Sequence, residues 1–441
     1  MIDFSLFFFF LSLFFPIRHV FLTPEAYLTG QYSDFTSFSL YLSDILLLFV
    51  FLIAIYQYFR LNKSIFQLFS NRFSLIALII WLILGLIMHF SSISLYWTVK
   101  WLELIVAYGT VKLVISEKGI ENRIGQSLAP IFVAFSAVQS IIALLQFYKQ
   151  TSLGLYRLGE SYLGPNIIGV AKIIVDNQAF IRGYGTFPHP NVLGGFLTIS
   201  ILISIFLYLN STWKWRTILG IIIFLNILGL TITFSRAAYL ALAIGLLIFF
   251  SFLISCLLFR KGARGEVAVT KLFMVIVTVI VSSTFSFLLF RPYLLSRAVI
   301  KDNTLNERML FNQIGLSMIK SNLIFGVGAG ESVLHMEQYS KTHLEPWQKQ
   351  PIHNYFIISA AELGIPGTFI LIWILISHLK LLINKLRLSL STKYLLLTTL
   401  LLCIFILMLF DHYFYTLQQT QLLLWLTLGV IAATKKEASV S

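Results

Sequence analysis

Long apolar stretches recur along the whole chain, and several run for about 18 residues or more, enough to cross a bilayer core of roughly 30 Å. In lipid every backbone N–H and C=O has to be paired within the chain, so uninterrupted apolar runs predict helices. They lack the alternating pattern of barrel strands. Charged residues make up only 11% of the chain, against about 25% in a soluble domain. We therefore predict an all-α integral membrane protein, one polytopic domain over 1–441, with about 12 transmembrane helices near 4–22, 40–59, 73–90, 95–116, 128–148, 190–209, 217–233, 236–259, 271–290, 353–377, 394–412 and 416–433.

The basic residues between these helices predict the orientation of the chain. With a cytoplasmic N-terminus, the short outer loops hold only Arg18 and Arg236. The other short loops and the tail then lie inside, and an excess of Lys and Arg is typical of cytoplasmic loops. This distribution predicts a multi-pass protein of the bacterial inner membrane with both termini in the cytoplasm. The inside residues are Arg60, Lys63, Arg72, Lys118, Arg123, Lys214, Arg216, Arg260, Lys261, Arg264, Lys271, Lys380, Lys385, Arg387, Lys393, Lys435 and Lys436.

Two predicted outer segments are much longer than the other loops. The first spans 149–189, and the main outer loop spans 291–352, between predicted helices 9 and 10. Both mix aromatic and aliphatic residues with glycine, so we expect folded material on the outer face. Helical spacing of apolar residues over Leu305–Asn322 predicts an amphipathic helix in the main loop. Gly326–Gly330 follows it, and this glycine-rich stretch is either a ligand contact or a plain turn between two packed pieces.

Three arginines on the predicted outer side are candidates for anion binding. Arg236 stands between two apolar runs with almost no loop, Arg308 lies on the amphipathic segment, and Arg182 opens a Gly/Pro-rich motif. The planar guanidinium group pairs with phosphate through two hydrogen bonds and does not lose its charge near neutral pH. For Arg236 an interfacial anchor that reaches to the lipid headgroups is the competing interpretation.

His353 begins the predicted helix 353–377, and Glu362, a further possible substrate contact, lies within that helix. A histidine exchanges protons near neutral pH, so His353 is the candidate general base, unless it merely caps the helix. Glu362 lies nine residues later, on the opposite helix face, so a direct His–Glu pair requires a break at Gly364. His189 and Asn191, before another helix, are further candidate substrate contacts, although Asn191 is also suited to a cap or turn.

The sequence offers no pattern for a metal or a nucleotide. There is no His-x-x-x-His pair, no Asp-x-Asp pair and no cysteine cluster, and no phosphate-binding glycine motif of a nucleotide site is present. The formal charge of +14 follows membrane topology, so no nucleic-acid partner is predicted. We predict neither metal nor cofactor. The chemistry then depends on arginine, histidine and one carboxylate.

These motifs resemble, in the same order, those of the O-antigen ligase/polymerase superfamily. The similar stretches are Gly185-Thr-Phe-Pro-His-Pro-Asn191, the helix start Ser235-Arg-Ala237, Arg308 followed by Gly326-x-Gly-x-Gly330, and His353-Asn followed by Glu362-x-Gly-x-x-Gly367. The stretches lie within 185–367, and together with the matching topology the resemblance covers nearly the whole chain. Each motif alone is weak, whereas the ordered set is specific to the superfamily but to no single member.

The resemblance implies a metal-independent, inverting glycosyltransferase of cell-envelope polysaccharide synthesis. Its donor would be a glycan on a polyprenyl diphosphate, and its acceptor a glycan, a lipid or a protein. By the same resemblance Arg236 and Arg308 would hold the diphosphate, His353 would activate or orient the acceptor hydroxyl, and Arg182 and His189 would belong to the earlier motif.

A transporter or flippase of lipid-linked glycans is the alternative function. Such a protein needs polar residues through the full depth of the membrane. Here few charged residues interrupt the predicted helices, and the basic cluster lies on one side. We therefore favour an enzyme whose active site is at the outer face.

Overall fold

The computed structural model describes residues 2–28, 30–60, 73–116, 120–258, 263–299 and 303–434. Helices dominate these ranges, and the strands form three two-stranded antiparallel sheets, β1–β4, β2–β3 and β5–β6. The helices are α1 Ile2–Phe14, α2 Leu42–Arg60, α3 Phe73–Met88, α4 Ser92–Ser116, α5 Ile120–Lys149, α6 Pro190–Asn210, α7 Trp213–Thr233, α8 Arg236–Leu258, α9 Ala263–Val299, α10 Asn303–Ser321, α11 Ser332–Tyr339, α12 Tyr355–Ser389, α13 Thr392–Phe410, α14 Tyr413–Thr416 and α15 Gln418–Ala433. The strands are β1 Arg18–Phe21, β2 Tyr27–Leu28, β3 Gln31–Tyr32, β4 Phe38–Tyr41, β5 Lys172–Val175 and β6 Gln178–Ile181.

Eight helices in the described ranges are long and apolar enough to cross a membrane. They are α2, α5 to α9, α12 and α13. Each of the 12 predicted segments contains a helix, but α1 and α3 are shorter apolar helices, and α15 has 16 residues. The helix α4 carries Lys100, Glu103 and Lys112. The structure therefore confirms a helical membrane protein and does not confirm the count of 12.

The first predicted helix, 4–22, is wrong in its second half. The helix α1 ends at Phe14, because Pro16 removes a backbone donor and disfavours the helical conformation of the residue before it. The chain then continues as β1, whose Arg18 pairs with Tyr41 of β4. The aromatic and β-branched residues of 18–21 suit a strand as well as a helix, so their apolar character misled the prediction.

Two long helices are kinked, α9 near its C-terminal end and α12 near its N-terminal end. The helix α9 extends beyond the predicted 271–290 and leaves helical geometry at Phe290, two residues before Pro292. The main outer loop therefore begins with the last turns of a helix. The helix α12 kinks at Gly364, where φ is +71°. A Cβ at this glycine would lie 1.8 Å from the carbonyl oxygen of Ile324, so only glycine allows this approach.

The glycine-rich stretch 326–330 packs against this kink, backbone to backbone. Val327 N–H donates to the carbonyl of Ala361 at 2.8 Å, and Gly328 N–H donates to that of Glu362 at 3.2 Å. A Cβ on Gly330 would overlap the ring of Trp97 at 1.8 Å. This stretch was interpreted either as a ligand contact or as a turn between two packed pieces, and the geometry matches the turn.

The predicted amphipathic helix is present as α10. Phe311, Ile314 and Met318 are buried on it, whereas Met309 and Leu316 are 60% and 49% exposed. The helix therefore has an inward face packed on the protein and two large apolar side chains directed outward. The first outer segment also contains regular structure, the β5–β6 hairpin, which packs against α9.

Several helix termini meet at one end of the bundle. Arg182, just after β6, bonds to the last residue of α7, Thr233. Asn191 in the first turn of α6 reaches Asp411, directly after α13, and His353, just before α12, reaches the same carboxylate. Polar side chains at helix ends can converge there without interrupting the apolar segments.

Candidate functional site

The Asp411 carboxylate lies at the centre of a buried polar cluster. Its side chain is 5% exposed. Oδ2 accepts a hydrogen bond from Asn191 Nδ2 at 2.7 Å, and Oδ1 lies 3.2 Å from Nδ1 of His353. Burial alone would raise the pKa of this carboxyl, but the hydrogen bond and charge of His353, together with the charge of Arg308, hold it well below its usual range. Asp411 is therefore ionised at neutral pH.

His353 is oriented by this carboxylate. An ionised carboxylate only accepts hydrogen bonds, so Nδ1 carries the hydrogen and donates it. In the neutral ring Nε2 is then the proton acceptor. The ring also stacks on Phe311 of α10, with centroids 6.1 Å apart and planes 24° from parallel. The capping role that competed for His353 falls to Asn354, whose side chain accepts from the N–H groups of Phe356 and Ile357.

Arg308 approaches the same carboxylate from α10. Nη1 donates to the carbonyl of Phe410 at 2.9 Å, and Nη2 lies 3.8 Å from Asp411 Oδ2. The Arg308 side chain is 32% exposed and that of His353 is 17% exposed. These two are the accessible members of the cluster, and the groups behind them hold them in position.

Arg182 lies on the buried side of the cluster, 4% exposed. Its Nε donates to the carbonyl of Thr233 at 2.6 Å, and its Nη2 donates to Asn191 Oδ1 at 2.7 Å. Asn191 thus transmits a hydrogen-bond chain from Arg182 to Asp411. Burial, and then the nearby charge of Arg297, lower the pKa of Arg182 to about 10, which leaves it cationic at neutral pH.

Two further histidines border the cluster, and burial keeps both neutral. His189 caps α6 and accepts the Asn191 N–H at Nδ1, 3.1 Å away, so the capping role considered for Asn191 belongs to His189. Burial lowers the pKa of His189 well below its usual value. Burial likewise lowers the pKa of His412 to about 3. Its ring lies 5.0 Å from that of His353 and 5.8 Å from Phe35, measured between centroids.

The two remaining predicted residues are Arg236 and Glu362. Arg236 begins α8, three residues after the Thr233 that Arg182 contacts, and its side chain is exposed. Glu362 is buried at the kink of α12, where it accepts hydrogen bonds from the N–H of Gly330 at 2.7 Å and the hydroxyl of Ser332 at 2.6 Å. Glu362 therefore joins the kink of α12 to the glycine-rich stretch and to the start of α11.

Three side chains of the described ranges could share a metal ion. His353, Asp411 and His412 each present one donor atom, and these atoms lie within 4.8 Å of one another. The sequence predicted no metal because the ligands are not adjacent in a known spacing. The Arg308 guanidinium 3.8 Å from the same carboxylate repels a cation, so the donor set fits an ion poorly.

Asp411 and His412 are the site residues that the sequence analysis missed. The predicted helix 394–412 ran through both, because the apolar residues on either side make one continuous stretch. In the structure α13 ends at Phe410, and Asp411 adopts an extended conformation. The signal was present, since an aspartate next to apolar segments marks a functional candidate by default.

A comparison with protein families matches residues 221–372 to the family described as O-antigen ligase. The matched part, about a third of the chain, includes Arg236, Arg308, His353 and Glu362. Arg182, Asn191 and Asp411 lie outside it. No curated protein matches the chain. The family match confirms, over residues 221–372, the resemblance to the O-antigen ligase/polymerase superfamily that the ordered motifs carry.

Proposed function

We propose that this protein is an inverting, metal-independent glycosyltransferase that moves a glycan from a polyprenyl diphosphate carrier to an acceptor hydroxyl. The observation that carries the proposal is the Asp411–His353 pair beside Arg308. A proton acceptor and a fixed cation thereby lie together at the accessible side of the cluster. The family match supports a glycan-transferring enzyme of this general type.

In the proposed reaction Nε2 of His353 accepts the proton of the acceptor hydroxyl. The acceptor oxygen attacks the anomeric carbon as the bond between that carbon and the diphosphate oxygen breaks, and the electron pair leaves with the diphosphate. One displacement of this kind inverts the anomeric configuration. Arg308, with Arg236 at the edge of the site, stabilises the charge that develops on the leaving group. Asp411 stabilises the imidazolium that forms on His353.

A metal ion is not required in this scheme, since preorganised guanidinium groups take the role that a divalent cation has in other diphosphate chemistry. The residues lie where α6, α8 and α12 begin and α7 and α13 end. From the charge asymmetry we assign this end to the outer face of a bacterial inner membrane. Both termini are then cytoplasmic. A membrane cleft at this end would hold the polyprenyl chain.

The test is turnover in detergent, with polyprenyl-diphosphate oligosaccharide as donor and a chelator present. Detergent removes the two compartments, so a transporter gives no signal. We expect released polyprenyl diphosphate and a transferred glycan. Product from donor alone indicates a polymerase, and product only with an added lipid, glycan or protein indicates the acceptor. No turnover with folded protein, or turnover that the chelator abolishes, would contradict the proposal in its function or in its metal independence.

Site variants connect turnover to these residues. Arg308→Ala and His353→Ala should reduce transfer to background while the protein still inserts in the membrane. Arg308→Lys should lose most activity, because lysine cannot make the paired hydrogen bonds of a guanidinium group. The matched controls are Arg157→Ala and His343→Ala, which remove exposed residues outside the cluster. Full activity in both site variants would remove the site assignment.

A further inference from the structure

The last turns of α9 bring a fourth arginine to the site, one that the sequence motifs do not include. Tyr293 of α9 packs against Phe180 with ring centroids 5.2 Å apart and against Phe234 at 6.4 Å. Phe180 precedes Arg182 by two residues, and Phe234 follows the Thr233 that Arg182 contacts. The Tyr293 face of α9 therefore lies over the Arg182 side of the cluster.

Arg297 lies one helical turn beyond Tyr293, on the same face. It is partly exposed. Its charge, like that of Arg308, reaches Arg182 and contributes to the lowered pKa of that residue. Three guanidinium groups thus come close from β6, α9 and α10. Like charges held near one another in a buried setting disfavour the protein alone and favour an anion bound among them.

Arg297 also has a distinctive position along α9. It is the last residue of the apolar span Val269–Arg297, which is long and apolar enough to cross a membrane. Arg308 is bonded next to Asp411 and His353, where the sugar would react. A lipid-linked diphosphate has one phosphate attached to the lipid and one attached to the sugar. The arginine that ends the apolar span is suited to the first, and the arginine beside His353 to the second.

We infer that Arg297 is a diphosphate-binding residue that holds the lipid-side phosphate of the donor, while Arg308 holds the sugar-side phosphate. This inference rests on the proposed function. It goes beyond the proposed function in one respect: the binding of a ligand with only the lipid-side phosphate should depend on Arg297 and not on Arg308.

The experiment measures equilibrium binding of two soluble probes, a short-chain prenyl diphosphate and the matching prenyl monophosphate, to the full protein in detergent. Arg297→Gln should weaken both probes by about 10- to 100-fold, the effect of losing a charge-assisted pair. Arg308→Gln should weaken the diphosphate by a similar factor and the monophosphate by less than about twofold. Arg291→Gln is the control, because Arg291 is an exposed arginine on the same helix. It should bind both probes like the wild type.

The outcomes distinguish a failure of the Arg297 inference from a failure of the proposed function. If the wild type transfers glycan and binds the probes but Arg297→Gln binds them equally well, the inference is wrong and the proposed function stands. If the folded wild type binds neither probe and transfers nothing, both fail. A melting curve checks that each variant is folded. Should Arg297→Gln not fold, Arg297→Lys replaces it, with an expected loss of about tenfold for both probes, and unchanged affinity in that variant would equally overturn the inference.

Discussion

Asp411→Asn tests the central carboxylate with almost no change of shape. The amide can still pair with Asn191, but the negative charge that orients His353 and attracts Arg308 is lost. A hydrogen bond to a charged group contributes about 1.5–3 kcal/mol and a neutral one about 0.5–1.5 kcal/mol. The change therefore removes roughly 1–1.5 kcal/mol at the His353 hydrogen bond. The Arg308 ion pair, at 3.8 Å and partly exposed, adds about 0–1 kcal/mol. The sum, about 1–2.5 kcal/mol, corresponds to a roughly 5- to 70-fold lower rate.

The assay is the initial rate of polyprenyl diphosphate release at saturating donor, with the melting temperature recorded for each variant. Asp34→Asn is the matched control, because its carboxylate pairs with Arg18 of β1 and is 46% exposed. An exposed ion pair contributes only about 0–1 kcal/mol, so this control should retain its rate. A rate for Asp411→Asn within about threefold of the wild type, in a protein of unchanged stability, would refute the reasoning from charge to rate.

Three further substitutions examine the scaffold. Gly364→Ala should destabilise the protein by more than about 2 kcal/mol, because alanine is strained at φ +71° and its Cβ meets a carbonyl oxygen, and a thermal melt measures this. Lys100→Met should cost about 3–5 kcal/mol, because it leaves the carboxylates of Asp44 and Glu103 buried without their cation. His335→Ala should remove part of the pH dependence of the melting temperature. The pKa of His335 is raised by the carboxylate one turn earlier, so its stabilisation is full below the ordinary histidine pKa and is lost as pH rises through the raised value.

A control variant or a second measurement tests the physical reason given for each of these three substitutions. Gly220 lies in a helix with open space around it, so the control Gly220→Ala should melt like the wild type. A Gly364→Ala variant that also melts like the wild type would contradict the steric argument. Adding Glu103→Gln to Lys100→Met should recover part of the loss, and no recovery would mean that charge is not its cause. A His335→Ala curve parallel to that of the wild type over all pH values would show that this pair contributes nothing.

The sequence predicted the helices well because lipid imposes a simple rule on the backbone. An apolar run has to pair its own amides, and so 190–209 and 236–259 become α6 and α8 within two residues at each end. The rule fails where the chain leaves the membrane region. Residues 18–21 end a largely apolar stretch, yet they pair with 38–41, and nothing local in the sequence indicates that partner.

The candidate site was predictable as a collection of residues and not as an arrangement. Arg308, His353 and Asn191 were recognised because polar groups next to helix starts are conspicuous. The sequence could not indicate that Arg182 would be buried behind Asn191, since that depends on how α6 and α7 pack. The sequence analysis missed Asp411 because a single charge within a long apolar stretch did not change where the helix was predicted to end.

The bond between Asn191 and Asp411 joins residues 220 positions apart, which has a consequence for biosynthesis. While the ribosome is still translating the segment between them, Arg182 and Asn191 have already emerged without the carboxylate that completes their chain of hydrogen bonds. Contacts between residues this far apart form late in folding. The nascent protein must therefore hold its cationic groups in water or against lipid headgroups until α13 has been inserted. Any product that stops before residue 411 lacks the anion and should be recognised as unassembled by the quality-control proteases of the membrane.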